Sequence, residues 1–274
     1  MSSITKAIIP VAGWGTRRLP ITKVIEKCML PVGNRPIVDY VVEDCLKAGI
    51  REIYFVVNSG STQLQSYYSS NEELVTYLER NGKHDMLPLI AAPENISFHY
   101  IVQPANGKYG TTIPVALAAS NLAQGESVVV LMGDDFLFNP DGQSEVARLI
   151  EAAGEAGSAM LGVSVPKDQV SRYGVLELNE HEEFVQVVEK PPVDEAPSDL
   201  INVSKYVFNY EMLQEIVGYA NEDQSIGGEY LITEPINRYV QKGGKLKVIP
   251  AVGQYLDGGT VEGWLHANKV VLGA

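Results

Sequence analysis

Apolar and polar positions along this chain fall into two rhythms, and their order predicts an architecture. Unbroken apolar runs, of a length that suits strands buried on both faces, stand at Ala7–Val11, at 52–58 (EIYFVVN) and at 127–132 (SVVVLM). Between them apolar residues recur at helical spacing. In 36–48 (PIVDYVVEDCLKA), Val38, Val42 and Leu46 form one i, i+4 row and Ile37, Val41 and Cys45 the next. Pro36 suits a first helical position and Gly49 a stop. Strand, helix and strand in about 50 residues is the rhythm of a parallel sheet with helical crossovers.

The pattern continues with strand character at 98–103 (FHYIVQ) and helix at 112–123 (TIPVALAASNLA). Residues 59–90 are polar, clearly helical only at 70–83, and read as an excursion from the core. The second half predicts a helix at 144–157, a strand at 159–165 and three shorter β runs, GVLEL, FVQVVEK and INVSKYVF. Helices at 210–217 and around 230–241, a strand at 245–251 and a terminal helix from 260 complete it. Pro191-Pro192 and 195–199 mark an exposed loop. With no internal repeat or low-complexity linker, one α/β domain over 1–274 is expected, its central sheet mainly parallel and flanked by helices. No hexapeptide repeat follows, so no fused acyltransferase is expected.

Composition narrows the function. The 34 acids outnumber 21 basic residues, a net charge of −13, which argues against a nucleic-acid surface but not against small anions. No stretch approaches the about 20 apolar residues of a membrane span, and no signal pattern opens the chain. Two cysteines, Cys28 and Cys45, give no disulfide framework. A cytoplasmic protein without membrane partners is expected.

Against that acidic background residues 6–31 are cationic. The first strand breaks at Gly13-Trp14-Gly15, and Arg17, Arg18, Lys23 and Lys27 follow against a single acid, Glu26. Glycine turns let backbone amides approach a ligand and form anion-binding concavities, so the guest suggested is a polyphosphate. No Walker A spacing is present. The dinucleotide fingerprint needs a third glycine where Arg18 stands, which disfavours a dinucleotide-dependent oxidoreductase. A plain turn with solvated charges is the alternative at this point.

Asp134 follows the 127–132 run, where open parallel sheets collect ligands, and a carboxylate facing a triphosphate there suits Mg²⁺. Asp135 should point the other way, as neighbours in an extended chain do. Asp257, in YLDGGT (255–260), also follows a short apolar run, though Asp-Gly is equally a hairpin turn. Lys190, in VVEKP (187–191), follows a β run and precedes a proline pair, in a position where a lysine is commonly just solvated.

The spacing G-x-G-T-R-x-L-P-x-T-K, then K-x-M-L-P, resembles the N-terminal signature of the sugar-nucleotide pyrophosphorylases, and most of all the bacterial UTP–glucose-1-phosphate uridylyltransferases. Gly13, Gly15, Thr16, Arg17, Leu19, Pro20, Thr22, Lys23, Lys27, Met29, Leu30 and Pro31 carry it. Further segments follow in the family's order: QPANGKYG (103–110), Tyr173-Gly174-Val175, VVEKP, APSDLINVSKYVF (196–208), GGEYLITEPINRY (227–239) and YLDGGT. Cys28 departs from the usual acid after the second lysine, and Thr112 and Ile113 from the usual pair beyond Gly110.

The resemblance implies a Rossmann-like nucleotidyltransferase fold, with 1–135 mainly binding nucleotide and 136–274 mainly sugar phosphate. Ala12, Gly13, Gly15 and Thr16 would lie along the nucleotide, and Gln103 with the Gly110 backbone would read a pyrimidine edge. Tyr173, Gly174, Glu189, Lys190 and Asn202 would hold the sugar phosphate, and Asp134 with Asp257 would hold Mg²⁺. The implied reaction joins UTP and α-D-glucose 1-phosphate into UDP-glucose and pyrophosphate. A sugar phosphate is already an anion, its second pKa near about 6, and needs no general base. Alignment and charge neutralisation are the requirements. Arg17 is therefore expected on the β- and γ-phosphates, Lys27 on the α-phosphate and Lys190 on the incoming phosphate. Two alternatives stay open: dTTP in place of UTP, since LDGGT and ITEPINRY read partly like thymidylyltransferases, and an inactive nucleotide-binding regulator. A homo-oligomer is expected.

Overall fold

The first strand of the chain lies in the middle of its sheet. The computed structural model describes residues 4–154, 157–223, 225 and 227–273. Its elements run β1 (Lys6–Pro10), β2 (Pro31–Val32), β3 (Arg35–Pro36), α1 (Ile37–Lys47), β4 (Glu52–Val57), α2 (Gln63–Tyr67), α3 (Glu72–Arg80), β5 (Ser97–Val102), α4 (Thr112–Ala119) and β6 (Val128–Leu131). They continue with β7 (Asp135–Phe138), α5 (Glu145–Ala153), β8 (Ala159–Ser164), β9 (Gly174–Leu178), β10 (Phe184–Glu189) and β11 (Leu200–Phe208). The last are α6 (Tyr210–Asn221), α7 (Thr233–Gln241), β12 (Lys247–Pro250), β13 (Gln254–Asp257) and α8 (Val261–Leu272).

β1 pairs in parallel with β4 on one side and β6 on the other, and β5 extends the sheet in parallel beyond β4. β11 then runs antiparallel to β6 and to β8, and β12 joins β8 in parallel. β11 is long enough to do more: near its start Ile201 pairs with Val175 of β9, which carries β10. The expected mixed, mainly parallel sheet is therefore present.

Both faces are covered, which is why the strands read as unbroken apolar runs. Ala7 and Ile9 pack with Phe55, Val129 and the α1 residues Val38, Val41 and Val42, while Ile8 packs opposite with Tyr54, Val130, Val115 of α4 and Met212 of α6. Cys28 and Cys45 are free and buried.

Several expectations shift. Pro36 ends β3 in an extended conformation and precedes the helix instead of opening it. The helix expected at 144–157 stops at Ala153, and 155–156 lie outside the described residues. Residues 230–232 are not helical. Pro191, placed on an exposed loop, is buried. β7 had no sequence signal of its own, and it forms a separate antiparallel ribbon with β13.

The polar excursion is fastened to the cationic loop. Glu26 accepts hydrogen bonds from the amides of Thr62 and Gln63, both at 3.0 Å, and from Ser61 Oγ at 2.7 Å, at the start of α2. Gln63 answers by accepting from the Glu26 amide and donating to Val24 O, at 2.9 and 2.7 Å. The one acid among the cations is thus spent on structure.

Candidate active site

β1, β4, β5 and β6 all end at one rim, and the loops leaving them enclose a cleft of about 480 Å³. Ala12, Gly13, Gly15, Thr16, Arg17, Lys27, Gln103, Gly110 and Asp134 all line it. Gly15 has a φ of 63°, and a Cβ there would stand 2.9 Å from the Thr22 methyl, whose hydroxyl donates to Gly15 O at 2.8 Å. The close turn therefore requires glycine. Beyond it the signature folds into three 3₁₀ turns, at Thr16–Arg18, Ile21–Lys23 and Lys27–Met29. Neighbouring side chains diverge, so two of the four cations, Arg17 and Lys27, face the cleft. Lys23 is exposed away from it and Arg18 is turned inward.

The loop expected to read the base is held by chain from the second half. Gly110, at φ 128°, lies so close to Tyr230 that a Cβ would stand 2.4 Å from the Tyr230 backbone. The Tyr230 amide donates to Tyr109 O and the Thr112 amide to Tyr230 O, both at 2.9 Å, and the Ile232 amide donates to Thr111 Oγ1 at 2.9 Å. Glu229 and Leu231 reach the cleft from this segment. Their neighbourhood matched the resemblance, but no residue of it was singled out.

Lys27 Nζ pairs with Asp134 Oδ2. Burial pushes the Asp134 carboxyl up, but the Lys27 ammonium outweighs it and holds the pKa below the usual carboxylate range. Asp135 faces away, as expected. Its carboxylate is buried, ion-paired with Lys205 and hydrogen-bonded by Tyr255 Oη at 3.0 Å. Burial dominates there and pushes its pKa up to about 6. Lys205, only 4% exposed, was missed, although a lone lysine within the apolar INVSKYVF run is a visible signal.

The β7–β13 ribbon sets Asp257 opposite Asp135, and the Gly258 amide donates to Asp134 O at 3.1 Å. The two carboxylates expected to hold metal thus sit on touching segments. Asp257 does not open a hairpin. Its Oδ1 accepts from the Gly259 amide at 2.6 Å, and the chain enters α8 with Thr260 as the capping residue. Among the described residues no group of three His, Cys, Asp or Glu could ligate a metal. Asp134 lines the cleft and Asp257 stands outside that lining on the touching segment, and one or two carboxylates of this kind still fit Mg²⁺, which completes its shell with water and phosphate oxygens.

Tyr173, Gly174, Glu189, Lys190 and Asn202 stand apart from the cleft lining. Gly174 faces Glu189 across β9–β10, and the Lys190 amide donates to Tyr173 O at 3.0 Å. A side chain at Gly174 would press on Val187 at 2.7 Å. Glu189 Oε1 accepts from Thr233 Oγ1 at 2.8 Å. Lys190 is exposed with a φ of 44°. Burial raises the pKa of Tyr173, and so does the charge of Asp257. Asn202 is the exception. Its amide donates to Tyr206 Oη at 2.7 Å and its Oδ1 accepts from the Ser204 amide at 2.9 Å, so it shapes the β11 irregularity.

Arg18 was also missed as a contact. Its guanidinium donates to the carbonyls of Thr260 and, at 3.4 Å, Gly258, and lies 5.1 Å over the Trp264 ring.

A family model described as Nucleotidyl transferase matches residues 6–273 of this chain. The chain belongs to the nucleotidyl transferase family. Within it, the chain is 36% identical to a putative UTP–glucose-1-phosphate uridylyltransferase of Methanocaldococcus jannaschii, over 99% of this chain and 94% of that protein. It is 33% identical to the UTP–glucose-1-phosphate uridylyltransferase of Haemophilus influenzae, over 96% and 91% of the two chains. Among solved structures, a UDP-glucose pyrophosphorylase from Acinetobacter baumannii superposes with a TM-score of 0.86 at 31% identity, covering 97% of this chain and 92% of that one. A UTP-bound UGPase from the same species also gives 0.86 at 31% identity, covering 98% and 93%.

Proposed function

We propose that this nucleotidyl transferase moves a uridylyl group from UTP to α-D-glucose 1-phosphate, giving UDP-glucose and pyrophosphate. The observation that carries the reading is the union of Arg17, Lys27 and Asp134 on one cleft beside Gln103 and Gly110. The names of the two relatives and the UTP-bound neighbour support the choice of substrates.

An oxygen of the sugar phosphate attacks the α-phosphorus, a new P–O bond forms, and the bond to the β-phosphate oxygen breaks to release pyrophosphate. Arg17 neutralises the β- and γ-phosphates. Lys27 exchanges Asp134 for the α-phosphate and the departing oxygen, and Lys190 holds the incoming phosphate beside Tyr173 and Glu189. The Gln103 amide offers the base both a donor and an acceptor, and the Gly110 backbone packs beside it. Bound Mg²⁺, held by Asp134 and Asp257, would supply charge neutralisation to the phosphate oxygens. Nucleotide falls mainly to residues 1–135 and sugar phosphate to 136–274, with Glu229 and Leu231 crossing between them. The enzyme is read as cytoplasmic and homo-oligomeric. Among the described residues no helix is long and apolar enough to cross a membrane.

Pyrophosphate release from UTP and glucose 1-phosphate tests the reading, with dTTP measured alongside. A higher kcat/KM for UTP, lost in excess chelator and in Asp134→Asn, is expected. No release would point to a nucleotide-binding regulator, and a dTTP preference would change the base assignment.

A further inference from the structure

Arg17 and Arg18 share one 3₁₀ turn, in which successive side chains point about 120° apart. Facing Arg17 to the cleft therefore sends Arg18 to the other side, where it is 5% exposed. There its guanidinium ends on the carbonyls of Gly258 and Thr260. Those residues flank Gly259, whose amide holds Asp257 Oδ1. Trp264 lies against the guanidinium, and its indole N–H donates to Pro31 O at 2.6 Å, at the far end of the same signature. The phosphate loop thus grips the Asp257 turn and the start of α8 from two sides.

The burial is not favourable in itself. Arg18 Nε is buried without a partner among the described residues, and an unpaired polar group of this kind costs stability. An apolar side chain of similar length would fill the space more cheaply, which makes the directed contacts to the two carbonyls the reason for an arginine.

We propose that Arg18 is a positioning residue that couples the phosphate loop to the Asp257 carboxylate, so that nucleotide seated against Arg17 fixes Asp257 for the transfer step. The proposal rests on the function argued above. It differs from a packing role because Arg18 acts only through Asp257. A small misplacement of such a group costs about 10²-fold in rate.

A double-mutant cycle tests it, using Arg18→Met, Asp257→Asn and the double variant, with pyrophosphate release as the assay and thermal melting as the control. Arg18→Met is expected to lower kcat about 10- to 100-fold with the KM for each substrate within about twofold. In the Asp257→Asn background it should cost nothing further, because the path is already cut. Should Arg18→Met melt early, Arg18→Lys keeps the stem and the charge and carries the same cycle. A lysine reaches one carbonyl but cannot form the fork, so an intermediate kcat is expected. Additive losses, a loss confined to the KM for UTP, or a wild-type kcat in Arg18→Met would overturn the proposal. If the unaltered enzyme releases no pyrophosphate at all, the functional reading fails. If it turns over but the losses add, only the coupling role fails.

Discussion

Arg17 and Arg18 are neighbours with opposite surroundings, and so are Asp134 and Asp135. In each pair one side chain enters the cleft and the other is buried against chain 70 or more residues away. For the aspartates the alternation of an extended chain separated the two in advance, whereas for the arginines only the local turn decided which one faces the cleft. The cationic group on the cleft and the one on the sugar-side shelf should separate kinetically. Arg17→Ala should raise the KM for UTP by about tenfold or more, and Lys190→Ala that for glucose 1-phosphate, as expected for a charge-assisted contact worth about 1.5–3 kcal/mol. Steady-state kinetics with each substrate varied checks this, and identical patterns in the two variants would contradict the division of roles. A residue outside the site gives a pH test. Asp44 Oδ1 is buried without a partner among the described residues, and burial pushes the carboxyl from 3.8 up to about 6 despite a hydrogen bond from the Val146 amide to Oδ2. Its folded pKa lies above its unfolded value, so its contribution to stability is full below about 4 and is lost as pH rises through about 6. Asp44→Asn cannot ionise and should be more stable than the parent at pH 8, by up to about 3 kcal/mol, with the gain fading towards pH 4. Melting curves at both pH values decide it, and an equal gain at each would rule the account out.

Among elements, those legible from pattern were the ones with their own periodicity: β1, β4, β6, α1 and α8 all appear within a few residues of expectation. The ones not legible depend on partners. β7 has four residues and exists because β13, over 100 residues later, lies beside it. Residues 230–232 carried helical character, but their amides and carbonyls are taken up by Tyr109, Thr111 and Thr112, and the helix begins only after Ile232. That pairing makes the loop proposed to read the base dependent on chain from the second half of the sequence. Gly110→Ala should break it, since the new methyl would meet backbone that cannot rotate aside, at a φ that side chains avoid. The expected result is a KM for UTP raised by about tenfold or more, with a smaller change for glucose 1-phosphate. An unaltered KM for UTP would show that the loop keeps its place without this contact.

For the whole molecule, the signature could be found from spacing and Asp134 from its place after an apolar run, whereas Asp257, which is not among the cleft-lining residues, was suggested by the resemblance. The supports could not be found in these ways. Lys205 under Asp135, Thr233 under Glu189 and Arg18 under Gly258 each reach across 44 to 240 residues, and no local pattern announces such a partner. The sheet order carries one more consequence, for a chain emerging from the ribosome. By the time β6 has been made, β1 can already stand beside it with β4 and β5 beyond, but among the described residues its other side is paired by β11. Until residues 205–208 arrive, the four apolar residues Val128–Leu131 offer an open edge to any other strand. The antiparallel strand β11 is therefore also the one that closes the nascent sheet against aggregation.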